Sequence, residues 1–322
     1  MNFIQKRIVT TVVAFIAAVH LDFFLPRLLP GNAANIFASG YKLPAQAVIL
    51  IEQRFGLNQP LYIQYELFMK GVFLNWPPDF GFSYEFYPQP VSYLIAVRLG
   101  WTILLIASAF VLSLIIAYTL ASISSIRRGS KVEFASMYSA ITFISTPAFW
   151  VAMILIWVFA VTLKWFPTFG NVGFNLGVGV DYFWSVFIHA ILPVVTLTLV
   201  VFGQNYLILR GAAQEVLKSD YVTAARSRGL RGTLIATKYV VRNSLLPLVS
   251  LLGYSISTLI SAVVLIEFVF GYTGVGDLIV DAILNRDYPV IEGSFFYLTL
   301  VVVIGALIGD LLLLKLDPRL RR

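Results

Sequence analysis

The sequence predicts an all-α integral membrane protein with six membrane-spanning helices and a helical segment outside the membrane between the first two. Three observations predict it. Of 322 residues, 59% are hydrophobic and only 12% charged, about half the charge of an ordinary soluble domain, and mean hydropathy is +0.86. Apolar runs of about twenty residues recur, each long enough to cross a hydrocarbon layer of roughly 30 Å. The net charge of +7 sits in short segments between these runs, which is a topology signal rather than a nucleic-acid footprint.

The six runs are Ile8 to Leu28, Leu99 to Ile123, Glu133 to Leu163, Tyr182 to Arg210, Leu245 to Phe270 and Glu292 to Leu316. The organisation read from them is a first spanning helix (1–29), an extracellular segment (30–97), a membrane core (98–316) with a cytoplasmic loop at 211–243, and a cytoplasmic tail (317–322). With the N-terminus inside, inner segments hold sixteen Lys and Arg and outer segments seven. That bias places both termini in the cytoplasm of a multi-pass cell-membrane protein. The first run is read as a retained span rather than a cleaved leader. It is long, contains Asp22 and Pro26, and lacks a clear small-residue cleavage site.

The outer segment mixes aromatics, prolines and charges. Within it, Pro44 to Phe55 and Pro60 to Leu74 carry apolar residues near helical spacing. It reads either as a folded cap or as a docking surface for an external protein. A second outer element follows the fifth span: a turn with Gly271, Gly274 and Gly276, then an apolar run from Leu278 to Leu284. Pro147 in span three and Pro193 in span four each remove one helix hydrogen bond, Pro193 at the carbonyl of His189. Bends there either hinge or line a path, or are static kinks. Ionisable groups inside or at the edges of spans are few: Asp22, His189, Glu267 and Asp310. Such groups are costly in hydrocarbon and are functional suspects, yet they form no ladder suited to a proton relay. Asp310 is read as structurally paired.

The inner loop is the most informative stretch. Ser219 is placed to cap a helix. Asp220 suits the positive end of the helix dipole, Arg226 and Arg228 the negative end, and Gly229 supplies a left-handed stop. Tyr221, Ala224 and Ala225 fall on one side by i, i+3 and i+4 spacing. Small residues beside one aromatic anchor describe a knob for a partner's groove; the alternative is a loop helix resting on the protein's own underside.

Here the sequence resembles a family. Asp220-Tyr221-Val222-Thr223-Ala224-Ala225-Arg226-Ser227-Arg228-Gly229, followed by Arg242-Asn243 and Leu246-Pro247, resembles the cytoplasmic signature of binding-protein-dependent ABC importer permeases, in its dipeptide/oligopeptide form. Other blocks agree along the chain: Leu29-Pro30-Gly31, Phe55-Gly56-Leu57-Asn58-Gln59-Pro60, Gly81-Phe82-Ser83-Tyr84, Arg127-Arg128-Gly129-Ser130, His189-Ala190-Ile191-Leu192-Pro193, Glu267-Phe268-Val269-Phe270, Gly274-Val275-Gly276, Arg286-Asp287-Tyr288-Pro289 and Leu316-Asp317-Pro318-Arg319. The chain departs at Asn32-Ala33, where the family commonly has Asp-Pro, a loop corner with no functional consequence.

The resemblance implies a type I ABC importer permease fold and a second, homologous permease as partner. It implies two cytoplasmic ABC ATPases docked through Asp220, Tyr221, Ala224, Ala225, Arg226 and Gly229, and an extracellular solute-binding protein. Glu267, Gly274 and Gly276 are candidates for an outer gate or docking surface, and Pro147, Pro193 and His189 for a hinge or path. Peptides lead as substrate class, with oligosaccharides or metal complexes as alternatives.

The chain itself is read as binding no cofactor and as not an enzyme. It has no GxxxxGK[ST] phosphate loop, so ATP and Mg²⁺ belong to the partner ATPases. No cysteine and two histidines leave no thiolate or histidine-rich metal site. Lipid is the remaining partner and nucleic acid is none. Two rival readings are an ion-coupled secondary transporter, which would show an inverted repeat, and a membrane scaffold without flux.

Overall fold

The computed structural model describes residues 3–28, 45–54, 56–173, 177, 179–241, 243, 244, 247, 249 and 252–316. Phe55, Arg242, Leu246, the Leu29-Pro30-Gly31 block, Asn32-Ala33 and the tail 317–322 lie outside the described residues. The helices are α1 (Phe3–Arg27), α2 (Ala45–Arg54), α3 (Leu61–Leu74), α4 (Val91–Ile126), α5 (Lys131–Ser145), and α6 (Ala148–Leu155), which continues in π-helical turns over Ile156–Thr162. Then come α7 (Val180–Val216), α8 (Asp220–Ser227), α9 (Gly232–Leu234) with π-helical turns over Ile235–Val241, α10 (Leu252–Phe270), α11 (Val275–Asn285) and α12 (Tyr288–Leu316).

Five of these, α1, α4, α7, α10 and α12, are long and apolar enough to cross a membrane, and α5 with α6 makes a sixth span if the bent pair is counted as one. The fold is thus all-α and membrane-spanning. Several helices outrun the expected spans. α4 begins at Val91 rather than Leu99, α7 continues to Val216 rather than ending at Arg210, and α12 starts at Tyr288 rather than Glu292. The 36 residues of α4 rise about 54 Å, well beyond the hydrocarbon layer, so its ends stand in the headgroups or water. The start of span five at Leu245 lies outside the described residues.

The third span differs most from expectation. It is not one helix from Glu133 to Leu163 but a pair bent by 109° between Ser145 and Ala148. Thr146 is extended (φ −98°, ψ 129°), the conformation that a following proline imposes. Pro147 then opens α6 and has no N–H to donate into α5. By contrast, α7 runs unbroken through Pro193. The bend anticipated there is not a break in the helix.

The described chain forms two compact units, Met1–Thr102 with Thr273–Val301, and Ile103–Tyr272 with Val302–Arg322. The first unit has an aromatic core. Phe23 packs on Phe24, Tyr65 and Phe68, Phe68 meets Phe80, and Phe80 meets Phe296. These contacts seat α3 against the C-terminal end of α1. Gly293 lets α12 come close to α4, since a Cβ there would lie 2.7 Å from the Val91 side chain.

In the second unit, Phe202, Tyr206 and Leu209 of α7 pack on Ala117 and Ala121 of α4 and Ala140 of α5. The backbones of α5 and α7 are nearly in contact: a Cβ on Gly203 would collide with the Ala140 carbonyl and lie 2.9 Å from Ile144. Small residues let membrane helices approach in this way. α10 and α12 meet similarly, with Gly305 against Ile256 and Gly309 against Leu252. A buried polar contact ties three helices: Asn205 donates to Ser113 Oγ (3.2 Å) and accepts from Ser255 Oγ (3.4 Å).

Candidate functional site: a short surface helix and its seat

α8 forms as its local chemistry dictates, with one difference. Ser219 is extended at the N-cap, but its hydroxyl does not cap α8. It donates instead to the Val216 carbonyl at 2.6 Å, closing the end of α7. Asp220 occupies the first turn and Arg226 the last. Gly229 is left-handed (φ 74°). Its N–H bonds to the Arg226 carbonyl (2.9 Å), and the Leu230 N–H reaches the Ala225 carbonyl (3.3 Å). This is a Schellman stop.

The two faces of α8 differ from the sequence reading. Val222 (0% exposed) and Ala225 (4%) point inward, onto a bed of Ala213, Ile235 and Val240 completed by Val216, Leu217, Leu230 and Tyr239. Tyr221, Ala224 and Ala225 therefore do not form one outward face. Ala225 pairs with Val222 at i, i+3, because Val222 is the large apolar residue that must leave water. Asp220, Tyr221, Thr223, Ala224, Arg226 and Gly229 remain on the surface. Tyr221 is held in place: Asn243 Nδ2 donates to its hydroxyl at 3.2 Å and to the Tyr239 carbonyl at 2.7 Å. The site is a small seated helix with one aromatic fixed beside an alanine.

The hinge and path candidates lie apart in sequence. Pro147 marks the bend. His189 is bound within α7, its Nδ1 lying 2.7 Å from the Ser185 carbonyl and 3.3 Å from Ser185 Oγ. Ser185 Oγ also accepts from Gly173 N–H (2.7 Å). Of the outer candidates, Glu267 is fully buried near the end of α10, in the second unit. Its carbonyl accepts from Tyr272 N–H (2.8 Å). Burial first, then the Glu267 charge, hold the Tyr272 phenol well above its ordinary range. Gly274 caps α11 in the first unit with extended backbone, and Gly276 is buried in its first turn. Val275 N–H donates to Thr102 Oγ1 at 2.8 Å.

Sequence reasoning missed the charged cluster of the first unit. Arg27 pairs with Glu292 and covers the Phe23 ring, with its guanidinium carbon 3.5 Å from the centroid. Asp287, 1% exposed, accepts from Ser83 Oγ (2.5 Å) and Glu85 N–H (3.1 Å). Burial raises the Asp287 carboxyl, and these hydrogen bonds oppose it. Asp277 on α11 is pushed up to about 6 by burial and then by Asp281, against Arg98. Among the described residues, no group of three or more His, Cys, Asp or Glu is arranged to hold a metal ion.

The raised Asp277 makes α11 pH-sensitive. Its proton is held more tightly folded than unfolded, so its contribution to stability is fully present below the ordinary aspartate value of 3.8 and is lost as pH rises through about 6. Hydrogen exchange across 275–285, corrected for intrinsic rates, is expected to be a few-fold faster at pH 7.5 than at pH 5. Asp277→Asn should flatten that difference; an unchanged pH dependence in D277N would assign it elsewhere.

Comparison with known families bears on the whole chain. Residues 109–322 match the family described as binding-protein-dependent transport system inner membrane component, and residues 1–106 match the N-terminal part of such membrane components. The chain belongs to this family. It is a permease subunit of an ABC importer. The permease is 34% identical to a probable peptide ABC transporter permease protein, y4tP, of Sinorhizobium fredii, over 99% of both chains. It is 31% identical to the oligopeptide transport system permease protein AppB of Bacillus subtilis, over 99% of this chain and 98% of that one. It is also 31% identical to the glutathione transport system permease protein GsiC of Salmonella choleraesuis, over 100% and 99%. Membership implies ATPase and solute-binding partners.

Proposed function

We propose that this permease imports peptides or peptide-like solutes delivered by an external binding protein. We propose also that it takes its driving force from cytoplasmic ATPases through α8. The observation that carries the coupling role is the build of α8: a short helix, sealed at its C-terminus, seated on Val222 and Ala225, with Tyr221 pinned by Asn243 and Ala224 on the surface. A helix so fixed passes on a displacement instead of absorbing it. The substrate class follows from relatives whose names specify peptide, oligopeptide and glutathione transport. In this reading a second, homologous permease completes the pathway and two ATPases hold ATP and Mg²⁺, while this chain holds neither. The excess of Lys and Arg on the α8 side supports a topology with α8 and both termini in the cytoplasm.

The test is gentle purification of the tagged chain from its native membrane. Recovery of a second permease, ATPase subunits and a binding protein carrying a peptide supports the reading. A sugar in that binding protein would overturn the substrate class, and flux from the isolated chain without ATP would overturn the mechanism.

A further inference from the structure

Eleven residues before Tyr221, on the helix that leads into α8, Arg210 is locked to the start of α5. Its Nε and Nη2 both donate to Glu133 Oε1, at 3.0 and 2.7 Å. The pair is largely enclosed, with the Glu133 side chain 7% exposed and that of Arg210 25%. The second oxygen of Glu133 is also engaged: Oε2 accepts from Gly129 N–H at 2.7 Å. The backbone N–H of Glu133 donates to Ser130 Oγ at 3.3 Å. One carboxylate thus joins the α4–α5 turn, the first turn of α5 and the inner end of α7.

What lies one turn further along α7 gives this junction its meaning. Ala213, three residues after Arg210, is 2% exposed and is part of the bed that carries Val222 and Ala225. α7 is unbroken from Val180 to Val216, so Arg210 and Ala213 are about 4.5 Å apart along one rigid axis. Behind Arg210, Tyr206 and Ser124 share a hydrogen bond of 2.9 Å, and Gly203 abuts Ala140. The apolar contacts among α4, α5 and α7 fill space but resist sliding weakly. A forked, charge-assisted bond has a direction and fixes register.

We propose that Glu133 and Arg210 are positioning residues for transport: their ion pair makes α5 follow the seat of α8, so that a displacement delivered at α8 reaches the third span and its bend at Pro147. The proposal rests on the reading of α8 as the ATPase contact. It differs from a purely structural role, because an enclosed ion pair adds little net stability over a well-packed apolar pair, and register is its best-attested use.

The experiment uses the complete importer in liposomes and measures ATP hydrolysed per solute taken up. Glu133→Met with Arg210→Met removes both charges and leaves neither orphaned, so the complex is expected to assemble and hydrolyse ATP. Its ATP cost per solute should rise about tenfold, within the range by which residues along a coupling route act. Glu133→Arg alone should be at least as impaired, and exchanging the charges (E133R with R210E) should bring the ratio back to within about threefold of the parent. An assembled double-methionine variant with an unchanged ratio overturns the proposal, as does an exchange variant no better than E133R alone. Ala224→Asp in the same assay separates the two layers. If A224D transports normally, the α8 reading itself has failed. If A224D is inactive while the methionine pair couples normally, the α8 reading stands and the tie falls.

Discussion

An aspartate at Ala224 is expected to lower solute uptake by at least about tenfold while leaving the permease folded and inserted, since a charge desolvated at an interface without a partner costs 2–5 kcal/mol. Ala224 lies on the surface of α8, beside the fixed Tyr221 and away from the bed beneath. The substitution therefore alters what α8 presents without disturbing what it rests on. Uptake by the reconstituted importer, together with recovery of the ATPases on the purified permease, measures the effect. Two comparators sharpen it. Gly229→Pro replaces a residue at φ 74° with one fixed near −65°, and removes the N–H that bonds to Arg226, so it should fail similarly. Ala225→Asp puts a charge into the bed and should instead reduce the amount of folded protein. Normal uptake in both A224D and G229P would remove α8 from the coupling route.

The second large effect is expected at Arg27. Its side chain is 17% exposed and that of its partner Glu292 6%, with Asp22 also buried near the C-terminal end of α1. Arg27→Ala leaves the Glu292 carboxylate enclosed and without its guanidinium, a change that typically costs about 3–5 kcal/mol. It also bares the Phe23 ring that the guanidinium covers. Thermal unfolding of the detergent-purified permease should therefore shift down clearly in R27A. Arg27→Ala with Glu292→Gln should recover part of the loss, because the second change removes the stranded charge. An R27A melting curve superimposable on the parent's would show that water reaches Glu292 and the pair is not enclosed.

Features carried by neighbours in sequence were legible; those carried by partners far away were not. The stop of α8 at Gly229 and the charges at its ends are local chemistry, and they appear as read. The direction in which α8 faces depends on Ile235 and Val240, elements folded back beneath it, so grouping Ala225 with Ala224 by spacing alone misassigned it. Val222 was the available signal, the one branched aliphatic residue of the helix. Pro147 and Pro193 show the same division. Both are prolines in apolar runs, yet one ends a helix and the other is enclosed within a continuous one, where packing by neighbouring helices sustains it. The pair Arg27–Glu292 spans 265 residues and Glu133–Arg210 spans 77. No periodicity reports such pairs; only the presence of charges at the ends of apolar runs hinted that they need partners. The six spans were legible because hydrocarbon thickness sets their length, but their ends were not, since helices continue wherever water accepts them.

The division of α8 into a seated side and a free side bears on how such importers diversify. Val222 and Ala225 are buried on this chain's own bed, whereas Asp220, Tyr221 and Ala224 face outward. Mutation can therefore rewrite the outward set without disturbing the bed beneath. Under the coupling role proposed for α8, a duplicated copy of this gene is free to drift toward a different motor, and an engineered copy to be given an orthogonal one, by changing a few surface letters of a single eight-residue helix.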